Sequence, residues 1–298
     1  MSFSGKVKEE LAGQFSPARH CQVAEMAALL CGCGHVENLP DGNRKLWIQT
    51  ENEAVARKSF TLLRKTFNIE TAIVIREGSH LKRGRVYLVE VTDPARAEEV
   101  LQGTKLSVDN KTGLLEMDNS LVVQMSCKRA FIRGTFLSSG SISDPEKGYH
   151  FEIVCPDKRK AEQLQGIIRS FHVEAKIVVR KKSYVVYVKE GAQIVDMLAV
   201  MEANVALMNL ENIRILKEMR NTVNRKVNCE AANINKTVNA AVRQVEDIQL
   251  ISRTVGFESL SDALAQVARL RLKYPDATLK ELGMMLNPQV GKSGVNHR

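Results

Sequence analysis

Hydrophobic residues recur along the chain with two periods, the three- or four-residue spacing of a helix and the two-residue alternation of a strand, and residues 127–155 show both. The stretch begins as an apolar run in which the small residues Gly134 and Ser138 are four positions apart, so both lie on one helix face. After Ser139-Gly140 and a turn at Asp144-Pro145, apolar residues recur at every second position, which predicts a strand. A helix with small residues on its packing face is suited to close approach to a second helix.

The same two periods predict helices and strands before and after residues 127–155. Apolar residues at three- and four-residue spacing predict helices over residues 16–34, 53–67, 157–171 and 194–200. Alternating apolar residues predict strands over residues 45–50, 71–75, 86–91, 175–179 and 184–188.

These elements recur in the same order, which indicates an internal duplication of about a hundred residues. Aligning Gly34 with Gly140 gives an offset of 106 residues. The same offset pairs the small residues of two predicted helices: Ala28 with Gly134, and Gly32 with Ser138. We therefore expect these two helices to pack against each other about a pseudo-twofold axis.

Strand signals end near residue 203, and the remaining sequence predicts helices. Two long helices carry apolar residues at helical spacing, over residues 213–227 and 238–248. The asparagines between and within them are typical of caps and turns: Asn221, Asn224, Asn228, Asn233 and Asn235.

Three short helices are predicted in the last sixty residues. The first begins at Ser261, and the second at Thr278, where Glu281 completes a capping box. The third begins near Lys292 or Ser293, and we expect this helix to continue past Arg298 in a complete recognition helix.

Composition narrows the class of protein. The 298 residues are 44% hydrophobic and 26% charged, with a net charge of +9, which favours an anionic partner such as nucleic acid. The longest apolar run, residues 23–33, contains Glu25 and is too short to cross a membrane. Six cysteines without a regular framework indicate reduced thiols in a cytoplasm. With DNA as the expected partner, the expected location is cytoplasmic and nucleoid-associated.

The two glycine-terminated helices resemble the LAGLIDADG motif of homing endonucleases. In that family an acidic residue before each terminal glycine holds a divalent metal for phosphodiester cleavage. The corresponding positions here are Cys33 and Ser139, which are poor ligands for Mg²⁺. The nearest acids, Glu37, Asp41, Asp144 and Glu146, fall at unmatched offsets. We therefore predict no catalytic residue, no metal and no cofactor.

Cys31, Cys33 and His35, with Cys21 upstream, also invite a zinc interpretation. Their spacing does not match the usual pair of cysteines followed by a distant second pair. We favour small residues at a tight helix crossing instead.

The last helices have helix-turn-helix form, in which the final helix enters the major groove of DNA. Lys292 and Arg298 are suited to phosphates or guanine edges, and Asn296 to adenine. The predicted DNA-binding residues are Thr278, Leu279, Lys280, Glu281, Leu282, Gly283, Gln289, Val290, Gly291, Lys292, Ser293, Gly294, Val295, Asn296, His297 and Arg298. Basic loops at equivalent places in the two copies add candidate phosphate contacts at Arg83, Arg85, Arg180, Lys181 and Lys182.

Over its whole length the chain resembles the WhiA family of regulators. The resemblance rests on SCKRAFIRGTFLSSGSISDPEKGYHFEIVC, NRKVNCEAANINKTVNAAVRQVEDI and ATLKELGMMLNPQVGKSGVNHR. It implies a bacterial DNA-binding protein with a degenerate LAGLIDADG domain and a C-terminal helix-turn-helix. It also implies a role in transcription control of sporulation, or in cell division and chromosome segregation.

The expected fold is α+β, a duplicated LAGLIDADG-type αββαββα pseudo-dimer followed by an all-α helix-turn-helix domain. We place the first half at residues 1–105, the second at 106–202, a helical linker at 203–225 and the DNA-binding domain at 226–298. The expected partners are double-stranded DNA and another regulatory protein, bound through the LAGLIDADG-like domain, with no membrane. Two alternatives remain open: a metal-dependent LAGLIDADG-type DNA endonuclease and a protein-interaction scaffold.

Overall fold

A computed structural model describes residues 1–40, 42–77, 84–108 and 114–298. The chain forms two compact units, Met1–Leu216 and Lys217–Arg298. Within the described residues, no helix combines the length and the apolar character that crossing a membrane requires.

The first unit contains the predicted αββαββα order twice. The first copy consists of α2 (Arg19–Cys33), β1 (Gly34–Asn38), β2 (Arg44–Thr50), α3 (Glu53–Phe67), β3 (Ala72–Glu77), β4 (Arg85–Val91) and α4 (Pro94–Gly103). The second copy consists of α5 (Met125–Ser139), β7 (Gly140–Ile142), β8 (Phe151–Cys155), α6 (Lys158–Arg169), β9 (Lys176–Arg180), β10 (Ser183–Val188) and α7 (Gly191–Met201). Helix α1 (Phe3–Ala12) precedes the first copy, and the short hairpin of β5 (Leu106–Val108) and β6 (Leu115–Met117) joins the two. The duplicated fold is confirmed.

Each copy forms a four-stranded antiparallel sheet with the same topology. The strand orders are β1-β2-β4-β3 and β7-β8-β10-β9, so the second strand of each copy pairs with the fourth. Side chains alternate across the sheets: on β2, Leu46 and Ile48 are buried, while Lys45 and Trp47 are only half-buried. One face of each sheet therefore lies on the hydrophobic core, and the other is open.

Helices α2 and α5 pack against each other through their small residues. A Cβ on Gly134 would lie 2.5 Å from the carbonyl oxygen of Glu25 and 2.8 Å from Cβ of Ala28. A Cβ on Gly32 would lie 2.1 Å from Oγ of Ser138. Residues equivalent in the duplication thus meet each other, as a twofold axis requires. The predicted helix pair is confirmed.

The second unit contains part of one very long helix. Helix α8 (Asn204–Thr254) begins in the first unit, where the carboxylate of Glu10 accepts hydrogen bonds from the N–H groups of Val205 and Ala206. The prediction of turns at the asparagines is wrong, because α8 continues through all of them. An asparagine costs well under ~1 kcal/mol in a helix, so apolar spacing maintained on both sides outweighs it.

The end of the chain forms three short helices around a small core. They are α9 (Asp262–Lys273), α10 (Leu279–Met285) and α11 (Lys292–His297). Ser261 stands at the N-cap position of α9, and Thr278 and Glu281 form the predicted capping box on α10. Leu282, Leu286 and Val295 form the buried centre of this bundle.

Candidate nucleic-acid interface

The predicted DNA-binding residues divide by exposure into an exposed set and a buried or partly buried set. The exposed set comprises Thr278, Lys280, Glu281, Gln289, Gly291, Lys292, Ser293, Asn296, His297 and Arg298. Leu282, Gly283 and Val295 are buried, while Leu279, Val290 and Gly294 are partly buried. Because buried side chains cannot reach a base edge, Leu282, Gly283 and Val295 hold α10 and α11 together rather than offering contacts.

Gly283 explains how α11 is held against α10. The N–H of Val290 donates to the carbonyl of Gly283 at 3.0 Å, which brings the turn before α11 onto α10. A Cβ on Gly283 would lie 2.1 Å from the Val290 carbonyl oxygen. Only glycine permits this approach of the two backbone segments.

Arg271 is a buried structural residue beside the predicted site that the sequence analysis does not identify. Its side chain is buried, and its guanidinium donates to the carbonyls of Pro275 and Ala277. These bonds fix the segment that leads into the capping box of Thr278. An arginine in the last turn of an otherwise apolar helix face was the only sequence signal, and it is equally typical of a solvated position.

Lys292 and Asn296 line a cavity of about 920 Å³ within the second unit. Lys236 of α8 and Lys280 of α10 also line it. The charged residues of the lining are Lys236, Glu246, Arg271, Asp276, Lys280 and Lys292. Cations outnumber acids four to two, so this groove favours an anionic ligand.

The hairpin tips of the first unit carry the predicted phosphate contacts. Arg85 and Arg180 are exposed, as are Lys181 and Lys182, which join β9 to β10. Arg83 lies outside the described residues. Positive charge is therefore exposed at Arg85, where β4 begins, and at Lys181 and Lys182 between β9 and β10.

Several basic side chains of the two sheets are paired with acids. Arg180 donates to the carboxylate of Glu152 at 3.0 Å, and His150 lies 2.9 Å from the same carboxylate. Burial by itself raises the pKa of Glu152, but the hydrogen bonds and charges of His150 and Arg180 outweigh it and hold the pKa below its ordinary value. In the first sheet, Lys45 lies 3.8 Å from Glu90. The sheet faces consequently offer less free positive charge than their tips.

The positions that would carry nuclease acids lie at the ends of the paired helices. Cys33 ends α2, and its thiol donates to the carbonyl of Leu29 at 3.2 Å. Burial raises the pKa of Cys33 to about 12, against the opposing effect of Lys8. Ser139 ends α5 and donates to the carbonyl of Thr135 at 3.3 Å. A protonated thiol and a neutral hydroxyl do not fit Mg²⁺, which prefers carboxylate oxygens.

The described acids that are nearest to this position along the sequence are exposed. Glu37 lies on β1, while Asp144 and Glu146 lie in the turn after β7, where Asp144 accepts from the N–H of Glu146. Asp41 lies outside the described residues. In the part of the chain that the structure describes, Cys31, Cys33 and His35 do not form a metal-ligand group either. His35 instead stacks on Trp47, with ring centroids 5.4 Å apart.

Comparison with known proteins accounts for both units. The WhiA N-terminal LAGLIDADG-like domain matches residues 19–107, the WhiA LAGLIDADG-like domain residues 128–220, and the WhiA C-terminal HTH domain residues 223–298. A protein named probable cell division protein WhiA, from Lachnoclostridium phytofermentans, is 57% identical over 300 residues, which cover 100% of this chain and 96% of that protein. The chain belongs to the WhiA family.

Other WhiA proteins extend the similarity. The probable cell division protein WhiA of Alkaliphilus oremlandii is 49% identical over 306 residues, covering 100% of this chain and 94% of that protein. The crystal structure of full-length WhiA from Thermatoga maritima matches with a TM-score of 0.60 at 23% identity, over 100% of this chain and 95% of that one. It shows that the two chains share the WhiA fold.

Proposed function

We propose that the protein is a non-enzymatic, sequence-specific DNA-binding regulator. The observation that carries this proposal is the exposed end of the helix-turn-helix. Lys292, Ser293, Asn296 and Arg298 are exposed while Val295 between them is buried, so α11 presents one polar face and anchors the other. Lysine, arginine and asparagine are the residue types that read guanine and adenine in the major groove.

Charge supports the same function. Residues 203–298 contain 14 lysines and arginines against 9 aspartates and glutamates, a net charge of +5 out of +9 for the chain. More than half of the excess positive charge therefore lies in the C-terminal helical part of the chain, which includes α8 and the helix-turn-helix. Such a distribution increases affinity for the phosphate backbone, whatever the sequence.

The donor set at the paired helix ends supports the absence of nuclease activity. A LAGLIDADG nuclease needs an acid from each half to hold a hard cation, and Cys33 and Ser139 supply a thiol and a hydroxyl. We infer that the first unit retains the nuclease scaffold for positioning, with its hairpin tips adding phosphate contacts.

The cellular process is proposed from relatives. Both named relatives are probable cell division proteins, and we propose that this protein also acts in cell division, through transcription control. Sporulation control is a second role that the family resemblance implies. Depletion in the host, scored for division defects and for sporulation separately, distinguishes these two roles.

DNA binding is tested with the full chain and a pool of random duplexes, from which bound sequences are selected. Lys292→Ala and Asn296→Ala should each weaken binding to the selected duplex by about 1–3 kcal/mol and relax the preference at one or two base pairs. Lys147→Ala removes an exposed lysine of the first unit and is the matched control. Unchanged affinity and preference in both test variants would contradict the role of α11.

A further inference from the structure

Three metal-ligating side chains meet at the N-terminal ends of the paired helices. Nδ1 of His20 lies 3.1 Å from Sγ of Cys127 and 3.4 Å from Sγ of Cys21. All three ligand atoms lie within 4.8 Å of one another. The two cysteines are buried and the histidine is exposed. This cluster lies at the opposite end of α2 and α5 from Cys33 and Ser139, so the proposed DNA contacts do not use it.

The cluster straddles the pseudo-twofold axis. Cys21 and Cys127 are 106 residues apart, which is the offset of the duplication, so each is the other's equivalent. One thiol therefore comes from each half of the first unit. The position equivalent to His20 is Ser126, so the imidazole comes from the first half alone.

The chemistry of these ligands selects a class of cation. Two thiolates and one imidazole suit a thiophilic metal and are poor ligands for Mg²⁺ or Ca²⁺. In zinc sites the metal lies about 2.3 Å from sulfur and about 2.0–2.1 Å from nitrogen, which places neighbouring ligands roughly 3.5–4 Å apart. The two distances from His20 Nδ1, 3.1 and 3.4 Å, are slightly shorter than that spacing, and no pair of ligand atoms is more than 4.8 Å apart. Small side-chain adjustments would bring all three atoms onto one ion.

A fourth coordination position is available to solvent. A cavity of about 400 Å³ adjoins the cluster and is lined by His20, Cys127, Gln124 and Ser120, among others. It has ample room for a water molecule, which occupies the fourth position in sites with three protein ligands. On binding, each thiol releases its proton to solvent as its sulfur coordinates the cation.

We propose that His20, Cys21 and Cys127 form a binding site for a thiophilic divalent cation, with zinc as the best match. The site lies between the first turns of α2 and α5. A bound ion would connect the starts of α2 and α5 across the axis and stabilise the paired helices, because a ligand that binds only the folded state shifts unfolding in its favour.

The test uses the full chain, reduced and freed of metal with a chelator. Titration with Co²⁺, a spectroscopic substitute for Zn²⁺, should give thiolate-to-cobalt charge transfer and the intense visible bands of a tetrahedral site, saturating at one ion per chain. Zn²⁺ should displace the cobalt and raise the melting temperature. Cys21→Ser and Cys127→Ser should each reduce affinity by more than the roughly 10–100-fold typical of losing an outer-shell partner.

Two further variants make the result decisive. Cys229→Ser removes the exposed cysteine of α8 and should leave the cobalt spectrum unchanged. His20→Ala alters only an exposed side chain, so it should fold normally, yet lose the zinc-dependent rise in melting temperature. The proposal is overturned if no thiolate-to-cobalt band forms, or if that band is lost in Cys229→Ser. It is also overturned if zinc raises the melting temperature of His20→Ala as much as that of the unmodified protein. An intact mass showing a Cys21–Cys127 disulfide in freshly isolated protein would also overturn it.

Discussion

At the scale of single residues, the most unusual feature is a buried carboxylate between two cations. Glu25 lies in the apolar interior of α2, fully buried. Arg133 of α5 donates to both of its oxygens, at 2.9 and 3.1 Å, and Nζ of Lys58 on α3 lies 3.0 Å away. Arg133 also reaches Glu202, at 2.7 Å. The cluster thus connects three helices in a place where an unpaired charge would be costly.

Removing the central charge should destabilise the first unit strongly. Glu25→Ala leaves Lys58 and Arg133 buried without their shared partner, and we expect a loss of about 3–5 kcal/mol in the free energy of unfolding. Urea denaturation measures it. Glu98→Ala is the matched control, since Glu98 pairs with Arg44 at the surface and should cost at most about 1 kcal/mol. Equal effects of the two substitutions would contradict this account.

The partly buried thiols of Cys31 and Cys33 should be unreactive near neutral pH. Burial raises the pKa of Cys31 to about 11 and that of Cys33 to about 12, which keeps both protonated, whereas alkylation requires the thiolate. Cys229 is exposed, so iodoacetamide should modify it first, as followed by peptide mass mapping. In Cys229→Ser the rapid reaction with iodoacetamide should disappear. Modification of Cys33 as fast as that of Cys229 in the folded protein would count against the partly buried, protonated thiol.

At the scale of elements, the packing of α2 on α5 depends on the absence of a side chain at Gly134. In Gly134→Ala the new Cβ would lie 2.5 Å from the Glu25 carbonyl, so the helices must separate. We expect a loss of about 1–3 kcal/mol in the free energy of unfolding, despite the higher helix propensity of alanine. Chemical denaturation of the purified variant measures this loss.

Gly166 supplies the matched control for that substitution. It lies within α6, and a Cβ there would meet nothing within 4 Å. Gly166→Ala should therefore stabilise the protein by about 0.5–1 kcal/mol through helix propensity alone. We therefore expect Gly134→Ala to lower the free energy of unfolding and Gly166→Ala to raise it. Destabilisation by both substitutions would contradict the helix-propensity gain expected at Gly166.

Periodicity predicted the elements and their pairing well, because the signals involved are local. Small residues four apart on two helices, at a constant offset, were sufficient to place Gly134 against Ala28. The asparagines predict breaks in α8 that the structure does not contain, because the apolar spacing on either side of them continues without interruption. Local residue preference is a weak signal when a longer periodic pattern continues through it.

Contacts between distant charged residues could not be predicted in this way. Glu25 and Arg133 are 108 positions apart, and they do not follow the duplication offset, so no repeat indicated the pair. The cysteines of the proposed metal site are different. Cys21 and Cys127 do follow that offset, and comparing the cysteines between copies would have placed them together. The expectation of no metal rests on the poor Mg²⁺ ligands Cys33 and Ser139 and on the spacing of cysteines along the chain, and neither bears on a pair of cysteines related by the duplication.

At the scale of the whole molecule, the two units are expected to contribute differently to DNA binding. The tip residues Lys181 and Lys182 are exposed and suited to phosphates, while Lys292 and Asn296 are suited to base edges. Loss of a phosphate contact lowers affinity about equally for all DNA sequences, whereas loss of a base contact lowers the discrimination between sequences. Salt dependence and sequence preference therefore separate the two contributions.

Replacing both tip lysines by alanine should reduce the slope of log affinity against log salt concentration by about 2, because each phosphate contact contributes about 0.9. The ratio of affinities for the selected duplex and for random DNA should be unchanged. Asn296→Ala should leave the slope unchanged and lower that ratio, since a neutral side chain releases no counterion. Fluorescence anisotropy at several salt concentrations measures both quantities. A lower ratio in the tip variant, with an unchanged slope, would assign sequence reading to the duplicated unit instead of α11.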